Sequence, residues 1–258
     1  MKTKIFAIII SVIIMLAFSG CINDPVIVGN GEITEETRSL PDFTRVSSSG
    51  SYNIYWEYSD STEVKIICES NIMPYIETAV YSDHLDIRTA FHVSLSTTKR
   101  IDVIVRCPKI SKIELSGSGK IETDTVRDEK LELIISGSGN IYSTFYGNEY
   151  KSEISGSGDM DIYAECKTTE TDISGSGKIK IAGSADYGSF NISGSGTIKA
   201  YDFLLKEANV NISGSGTGYI NASEKLNVII SGSGDIYYIG NPDINYNDLG
   251  PGNLINDN

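Results

Sequence analysis

The C-terminal half of the chain repeats the four-residue phrase Ser-Gly-Ser-Gly at nearly constant intervals. The seven copies begin at Ser116, Ser136, Ser155, Ser174, Ser193, Ser213 and Ser231. The intervals between them are 20, 19, 19, 19, 20 and 18 residues. A near-constant period with one invariant corner is typical of a solenoid, in which each repeat forms one rung and stacks on the next. A flexible Gly/Ser linker would need no such period.

Two apolar columns accompany the tetrads. The residues before the tetrads are Leu115, Ile135, Ile154, Ile173, Ile192, Ile212 and Ile230. The second residues after them are Ile121, Ile141, Met160, Ile179, Ile198, Gly218 and Ile236. Polar and apolar residues alternate between these columns, which indicates β-strands. The sequence therefore predicts an all-β protein, a right-handed parallel β-helix, with the hand set by strand twist and the bias of parallel crossovers.

The composition of the tetrad predicts how the corner is built. Two glycines per tetrad suit a corner that needs positive φ angles or a close approach between backbones. We expect the serine hydroxyls to hydrogen-bond the corner amides and to form a ladder along the stack.

The rest of the chain divides around these repeats. Residues 32–112 are strand-rich but irregular, and we interpret them as a cap and irregular first rungs, with Val46–Ile54 as a degenerate copy of the tetrad corner. Regular rungs occupy residues 113–239. Residues 240–250 then form a C-terminal cap, and residues 251–258 a tail that is frayed from Asn253 onward. Residues 32–250 are thus expected to form one domain.

The N-terminus has the pattern of an export signal. A short basic start is followed by an apolar run over residues 5–18 and then by Ser19-Gly20-Cys21, which resembles a bacterial lipobox. We predict a lipoprotein signal peptide over residues 1–20, lipidation at Cys21, and a tether over residues 21–31. The alternative is an ordinary signal cut near Gly20. The lipid would anchor the protein to a membrane of the cell envelope, the outer membrane in a Gram-negative donor.

The charge of the exported chain is strongly negative. Removal of residues 1–20, which contain two lysines and no acid, leaves 19 basic and 34 acidic residues, a net charge of −15. Such a surface repels nucleic acid, so a nucleic-acid partner is not expected.

Few residues in the chain carry the patterns of catalysis or metal binding. The two histidines, His84 and His92, lie outside the repeats and have no cysteine or acidic cluster at zinc-ligand spacing. The position after each tetrad holds aspartates but also lysines, which oppose repeated calcium binding; a single site near Asp159 and Asp161 stays open. No cofactor and no catalytic residues are predicted.

Three cysteines remain besides Cys21. By alternation, Cys68 and Cys107 both point into the core of the cap, where they either form a disulfide or stay as buried thiols. Cys166 has no evident partner.

Aromatic residues offer the best candidate for ligand binding. Tyr142, Tyr219 and Tyr237 share one outward repeat position, which other rungs fill with charged residues, and Trp56 lies in a tyrosine-rich cap strand. Tyrosine is common on strands, so an ordinary strand surface competes with a stripe that binds a glycan or a protein.

Several of these segments together resemble one family. They are Arg38–Phe43, Ser49–Ile54, the serial tetrads, and Gly240-Asn241-Pro242. In this order they resemble the head GIN domain, or auto-transporter adhesin, family over residues 29–250. The resemblance implies a β-helical domain on the cell envelope. We therefore expect a non-catalytic lipoprotein that binds a glycan or an envelope protein; the alternatives are a purely structural envelope protein and a polysaccharide-acting β-helix enzyme.

Overall fold

The computed structural model describes residues 24–258 and shows a parallel β-solenoid of about eight turns with a spacing of about 19 residues. The predicted fold class is confirmed. The regular rungs are β10 (Lys112–Leu115), β11 (Lys120–Ile135), β12 (Asn140–Ile154), β13 (Asp159–Ile173), β14 (Lys178–Ile192), β15 (Thr197–Ile212), β16 (Thr217–Ile230) and β17 (Asp235–Ile239). Each long strand runs from one tetrad to the next and pairs in parallel with the strand one rung away, as in the register from Asn140↔Asp159 to Ile154↔Ile173.

The apolar columns fill the interior of the solenoid. Every residue of the column before the tetrads is at most 1% exposed, and so are the apolar members of the column after them. Phe145, Phe190 and Phe203 fill further interior positions and are fully buried. Burial of each such side chain stabilises the fold by roughly 2 kcal/mol, which explains why the columns recur once per rung.

The tetrad corner uses close backbone approach and not positive φ. Among the described glycines only Gly31, Gly183 and Gly240 have positive φ, and none belongs to a tetrad. The amide of the second serine donates to the carbonyl of the first tetrad glycine one rung earlier, as from Ser176 to Gly156 at 3.0 Å. Backbone groups thus satisfy the amides that we expected the serine hydroxyls to bind, and the serine side chains lie exposed on the surface.

The N-terminal end is closed by strands that leave the parallel pattern. The strands there are β1 (Val26–Val28), β2 (Ile33–Ser39), β3 (Arg45–Ser48), β4 (Asn53–Tyr58), β5 (Glu63–Glu69), β6 (Ile76–Tyr81), β7 (His84–Thr89), β8 (Ser94–Ser96) and β9 (Asp102–Cys107). A short 3₁₀ helix spans Met73–Tyr75. β3 and β4 continue the stack beneath β10 and β11, whereas β2, β5 and β6 pair antiparallel to their neighbours. Gly117 stacks on Gly50, so Ser49–Tyr52 is the first corner.

The segment predicted as a tether is partly attached to the cap. β1 pairs with β8 in parallel, and the amides of Asn30 and Gly31 donate to the side chains of Asn71 and Glu69. The tether prediction is therefore wrong for residues 26–31. Cys21 and the predicted signal peptide lie outside the described residues.

The solenoid continues beyond the point where the repeat seemed to end. β18 (Asp243–Asp248) pairs with β16, and β19 (Leu254–Asn256) pairs with β17. Between them, Gly250 and Gly252 stack on Gly232 and Gly234 and form a further corner from Gly-Pro-Gly. The expected frayed tail is thus part of the stack. No helix within residues 24–258 is long and apolar enough to cross a membrane.

Candidate binding surface

One outward column runs the length of the solenoid. The strand register stacks the residues that follow the second apolar column, one from each rung. They are Tyr55, Glu122, Tyr142, Asp161, Lys180, Lys199, Tyr219 and Tyr237. The alternation of inward and outward side chains along each strand predicts this outward orientation. Because equivalent positions of successive rungs stack, residues that are far apart in the sequence lie along one line.

Three tyrosine side chains meet at the C-terminal end of this column. The rings of Tyr219 and Tyr237 stack with centroids 5.2 Å apart and planes inclined by 14°. The ring of Tyr201 meets Tyr219 edge-on, at 5.3 Å and 86°. We call Tyr201, Tyr219 and Tyr237 the tyrosine cluster. All three are partly exposed, so part of each side chain is accessible to solvent.

Tyr201 joins the cluster because its rung is irregular. The register between β15 and β16 passes from Ala200↔Ile220 directly to Leu204↔Asn221, so three residues of β15 have no opposite residue on β16. The side chain of Asn221 donates to the carbonyl oxygen of Tyr201 at 2.9 Å and replaces the missing ladder bond. The sequence carries a signal for this bulge, which our sequence analysis missed: the intervals on either side of Ser213 are 20 and 18 residues.

Asp257, the residue after the last strand, holds Tyr201 in place. The Tyr201 hydroxyl donates to Asp257 Oδ2 at 2.8 Å, and the Asp257 amide donates to the Tyr238 carbonyl at 2.9 Å. Burial, reinforced by the hydrogen bond to Asp257, raises the pKa of Tyr201, so its hydroxyl stays protonated and remains a donor.

A basic patch adjoins the tyrosine cluster. Lys178 and Lys180 point outward from β14, and Lys199 lies beside Lys180 on the next rung. We call these three residues the lysine patch. Two shallow clefts share Lys180 and Lys199. One, of about 300 Å³, is also lined by Tyr201, Asp202 and Tyr219. The other, of about 250 Å³, extends past Lys178, Asp159 and Asp161 to Tyr142. The shared lysines make one continuous groove along the column.

Tyr142 lies at the other end of the groove. The ammonium of Lys120 lies 6.0 Å from its ring centroid and 5.4 Å from that of Tyr55. Four rungs separate Tyr142 from Tyr219, about 19 Å at the usual strand spacing. Tyr142 is therefore not a member of the tyrosine cluster.

Trp56 is part of the core and not of a binding surface, so its proposed role in ligand binding is wrong. Its side chain is only 4% exposed, and its Nε1 donates to Cys107 Sγ at 3.2 Å. Tyr52, Ile54 and Trp56 alternate along one strand and share its inward face, a pattern that the sequence already contained.

The three described cysteines are free thiols, so the disulfide between Cys68 and Cys107 is not formed. β5 and β9 run antiparallel, with Glu63 opposite Arg106 and Ile67 opposite Asp102. Cys68 and Cys107 thus lie at opposite ends of the strand pair. Burial raises the pKa of all three thiols, to about 11 for Cys68 and about 12 for Cys166. The alternative of buried thiols is the one that the structure shows.

A further cleft, beside the tetrad corner, is lined by Asp172, whose strand also carries Glu170. Burial raises the pKa of Asp172, and the neighbouring ammonium of Lys151 lowers the pKa of Glu170. Two carboxyls with diverging pKa values are a pattern of acid–base catalysis. However, Glu170 is held in an ion pair with Lys151 at 2.9 Å, and the cleft holds only about 130 Å³. Ligand pockets typically hold roughly 300 Å³ or more. The groove along the outward column is the better candidate for a binding site.

No group of three or more His, Cys, Asp or Glu residues within residues 24–258 is arranged to hold a metal ion. The groove itself presents tyrosine side chains, ammonium groups and the carboxylates of Asp159, Asp161 and Asp202. These groups can bind a ligand by stacking, hydrogen bonding and charge.

These features define the chain as a parallel β-solenoid with tyrosines, lysines and aspartates along one outward groove. The chain belongs to the family described as "Putative auto-transporter adhesin, head GIN domain", whose model matches residues 42–242. The family resemblance noted in the sequence is thereby confirmed. None of the curated proteins compared with the chain matched it.

Solved structures from two species share the fold. A protein of Parabacteroides distasonis described as a "putative lipid binding protein" is 26% identical, with a TM-score of 0.87 over 90% of this chain and 100% of its own. A "putative adhesin" of Parabacteroides merdae is 20% identical, with a TM-score of 0.86 over 91% of this chain and 100% of its own. A "putative adhesin" of Parabacteroides distasonis is 22% identical, with a TM-score of 0.85 over 90% of this chain and 99% of its own.

Proposed function

We propose that the protein is a non-catalytic binding lipoprotein of the cell envelope, anchored through Cys21, and that it binds a glycan through the groove along its tyrosine column. The tyrosine cluster is the observation that carries the proposal. Three tyrosines from three rungs lie together there, and a backbone bulge and a hydrogen bond to Asp257 hold Tyr201 in position. Aromatic side chains arranged in this way offer a rigid surface at low entropic cost.

The shape of the groove favours a ligand that lies on the surface. The groove is open and shallow, whereas apolar side chains fill the solenoid interior. A saccharide chain suits such a surface, because its apolar ring faces pack on aromatics and its hydroxyls hydrogen-bond to polar side chains. One relative is described as lipid-binding, but within residues 24–258 the core of this chain is occupied by its own apolar side chains.

A glycan array with the purified mature protein tests the proposal. We expect selective binding that falls about tenfold for each of the variants Tyr219→Ala and Tyr237→Ala, a typical effect of truncating an aromatic at the centre of an interface. Tyr81→Ala is the matched control, because Tyr81 is 60% exposed on the cap strand β6 and lies outside the groove.

Three outcomes would contradict the proposal. Chain cleavage with turnover in a parallel polysaccharide-degradation assay would show an enzyme. Binding only to envelope proteins in pull-downs would replace the glycan by a protein partner. If the protein binds neither a glycan on the array nor a protein in the pull-downs, a purely structural role is favoured.

A further inference from the structure

The lysine patch is an exception on an acidic protein. The chain has 21 basic and 34 acidic residues. The side chains of Lys178, Lys180 and Lys199 are nevertheless exposed together on two neighbouring rungs. Lys178 and Lys180 are two residues apart on one strand, so their Cα atoms are about 7 Å apart. The backbone of Lys199 lies about 4.8 Å from that of Lys180 on the neighbouring rung.

These ammonium groups are mostly unpaired. Within residues 24–258, neither Lys178 nor Lys199 has an acidic oxygen within 4 Å. Lys180 approaches Asp161 only at 3.8 Å, with both side chains about half exposed. Exposed pairs of this kind contribute little, so Lys180 is free to exchange Asp161 for another anion. Elsewhere on the surface, lysines such as Lys151 and Lys206 have close acidic partners at 2.9 and 2.6 Å.

The groove orders the charged and aromatic groups along one axis. The lysine patch lies between Tyr142 on one side and the tyrosine cluster on the other, and the two clefts meet at Lys180 and Lys199. The outward column contributes one residue per rung to the groove, at intervals of about 4.8 Å. This interval is close to the length of one sugar unit in an extended chain, so a chain that lies along the axis would meet successive rungs with successive sugars.

We infer that the groove binds a linear anionic glycan that lies along the solenoid axis, with its carboxylate or sulfate groups at the lysine patch and neighbouring sugar rings against the tyrosine cluster. This inference rests on the proposed glycan-binding function and specifies its ligand class. Carboxylate and sulfate share the chemistry that the lysines recognise: a compact anion that accepts hydrogen bonds from ammonium groups. The three lysines share their clefts with Asp159, Asp161 and Asp202. The inference therefore depends on the ammonium groups of Lys178 and Lys199, which have no acidic oxygen within 4 Å in residues 24–258. The net negative charge of the chain disfavours anions on the rest of the surface.

The test compares matched charged and neutral polymers by isothermal titration calorimetry with the mature protein. Polygalacturonate oligomers and their methyl esters form one pair, and dextran sulfate and dextran form the other. We expect the charged member of at least one pair to bind more tightly and to lose affinity as sodium chloride is raised. The pair that shows the preference distinguishes a carboxylate from a sulfate ligand.

Lysine variants locate the binding. Lys180→Gln and Lys199→Gln should each weaken binding of the charged polymer about two- to fivefold, the range for exposed charge pairs. Lys225→Gln is the control, because Lys225 is exposed on β16 outside the groove and should have no effect.

The failure of this inference differs from the failure of the proposed function. Equal binding of charged and neutral polymers, or a charge preference that the two lysine variants do not change, would overturn the inference; the proposed function would then stand if the tyrosine variants still weaken binding. No binding by any of the four polymers or by the glycans of the array would overturn both.

Discussion

Gly175 lies so closely on Gly156 of the preceding rung that a β-carbon at Gly175 would overlap the Gly156 carbonyl oxygen. The same carbonyl accepts the hydrogen bond from the Ser176 amide. The corner therefore has room for no side chain at its first glycine, and this relationship repeats from rung to rung. Gly218 is different, because a β-carbon there would meet only Ile236 at 3.7 Å and Val210 at 3.9 Å, which are ordinary contacts.

These two glycines should respond oppositely to alanine. Gly175→Ala forces the corner backbones apart and should destabilise the fold by about 1–3 kcal/mol, the usual cost of overpacking. Gly218→Ala restricts the unfolded chain and should stabilise the fold by about 0.4–1 kcal/mol. Thermal unfolding measures both, with about 2–4 °C expected per kcal/mol for a domain of this size. Equal melting temperatures for the two variants would contradict the described corner.

Glu69 attaches the N-terminal segment to the cap. Its carboxylate accepts hydrogen bonds from the Gly31 amide at 2.6 Å, the Thr98 hydroxyl at 2.7 Å and the Thr98 amide at 2.9 Å. Glu69→Ala should therefore release β1 and β8 without unfolding the rungs. Hydrogen exchange should show faster exchange over residues 26–31 and 94–98, and Glu224→Ala, an exposed acid, should leave both segments protected. Unchanged exchange in Glu69→Ala would show that other contacts hold the segment.

The same attachment should weaken in acid. The Thr98 hydroxyl, with help from the backbone amides, lowers the pKa of Glu69 below its ordinary value. The contribution is therefore complete above the ordinary glutamate pKa, about 4.3, and is lost as the pH falls through the lowered folded value. Protection of residues 26–31 should follow this course in the natural sequence and become insensitive to pH in Glu69→Gln. A loss that begins near neutral pH would point to another group.

The thiols should be intact and slow to react. Burial raises the pKa of Cys68, Cys107 and Cys166, so the reactive thiolate is scarce near neutral pH. In the Cys21→Ala variant, a thiol-reactive dye without reductant should label the native protein slowly and react with three thiols after denaturation. If only one thiol reacts after denaturation, Cys68 and Cys107 form a disulfide after all.

Lipidation at Cys21 remains a prediction. In the cells that produce the protein, Cys21→Ala should move it from the detergent-soluble membrane fraction to the soluble fraction, because the protein would lose its acyl anchor. The substitution Cys166→Ala controls for general effects of removing a cysteine. If Cys21→Ala still fractionates with the membrane, the anchor is not a lipid at this residue.

The sequence by itself determined the solenoid, its period and its buried columns, because stacked rungs require the same residue type at the same position in every repeat. Alternation also placed Tyr142, Tyr219 and Tyr237 on one outward line, and it would have placed Trp56 in the core. Only the tertiary structure decided which of these tyrosines touch. Tyr201 reaches Tyr219 through a bulge, Asp257 reaches Tyr201 from 56 residues away, and the last corner forms from Gly-Pro-Gly because it stacks on tetrad glycines. Such contacts depend on strand register and on the packing of neighbouring rungs, which no single repeat contains.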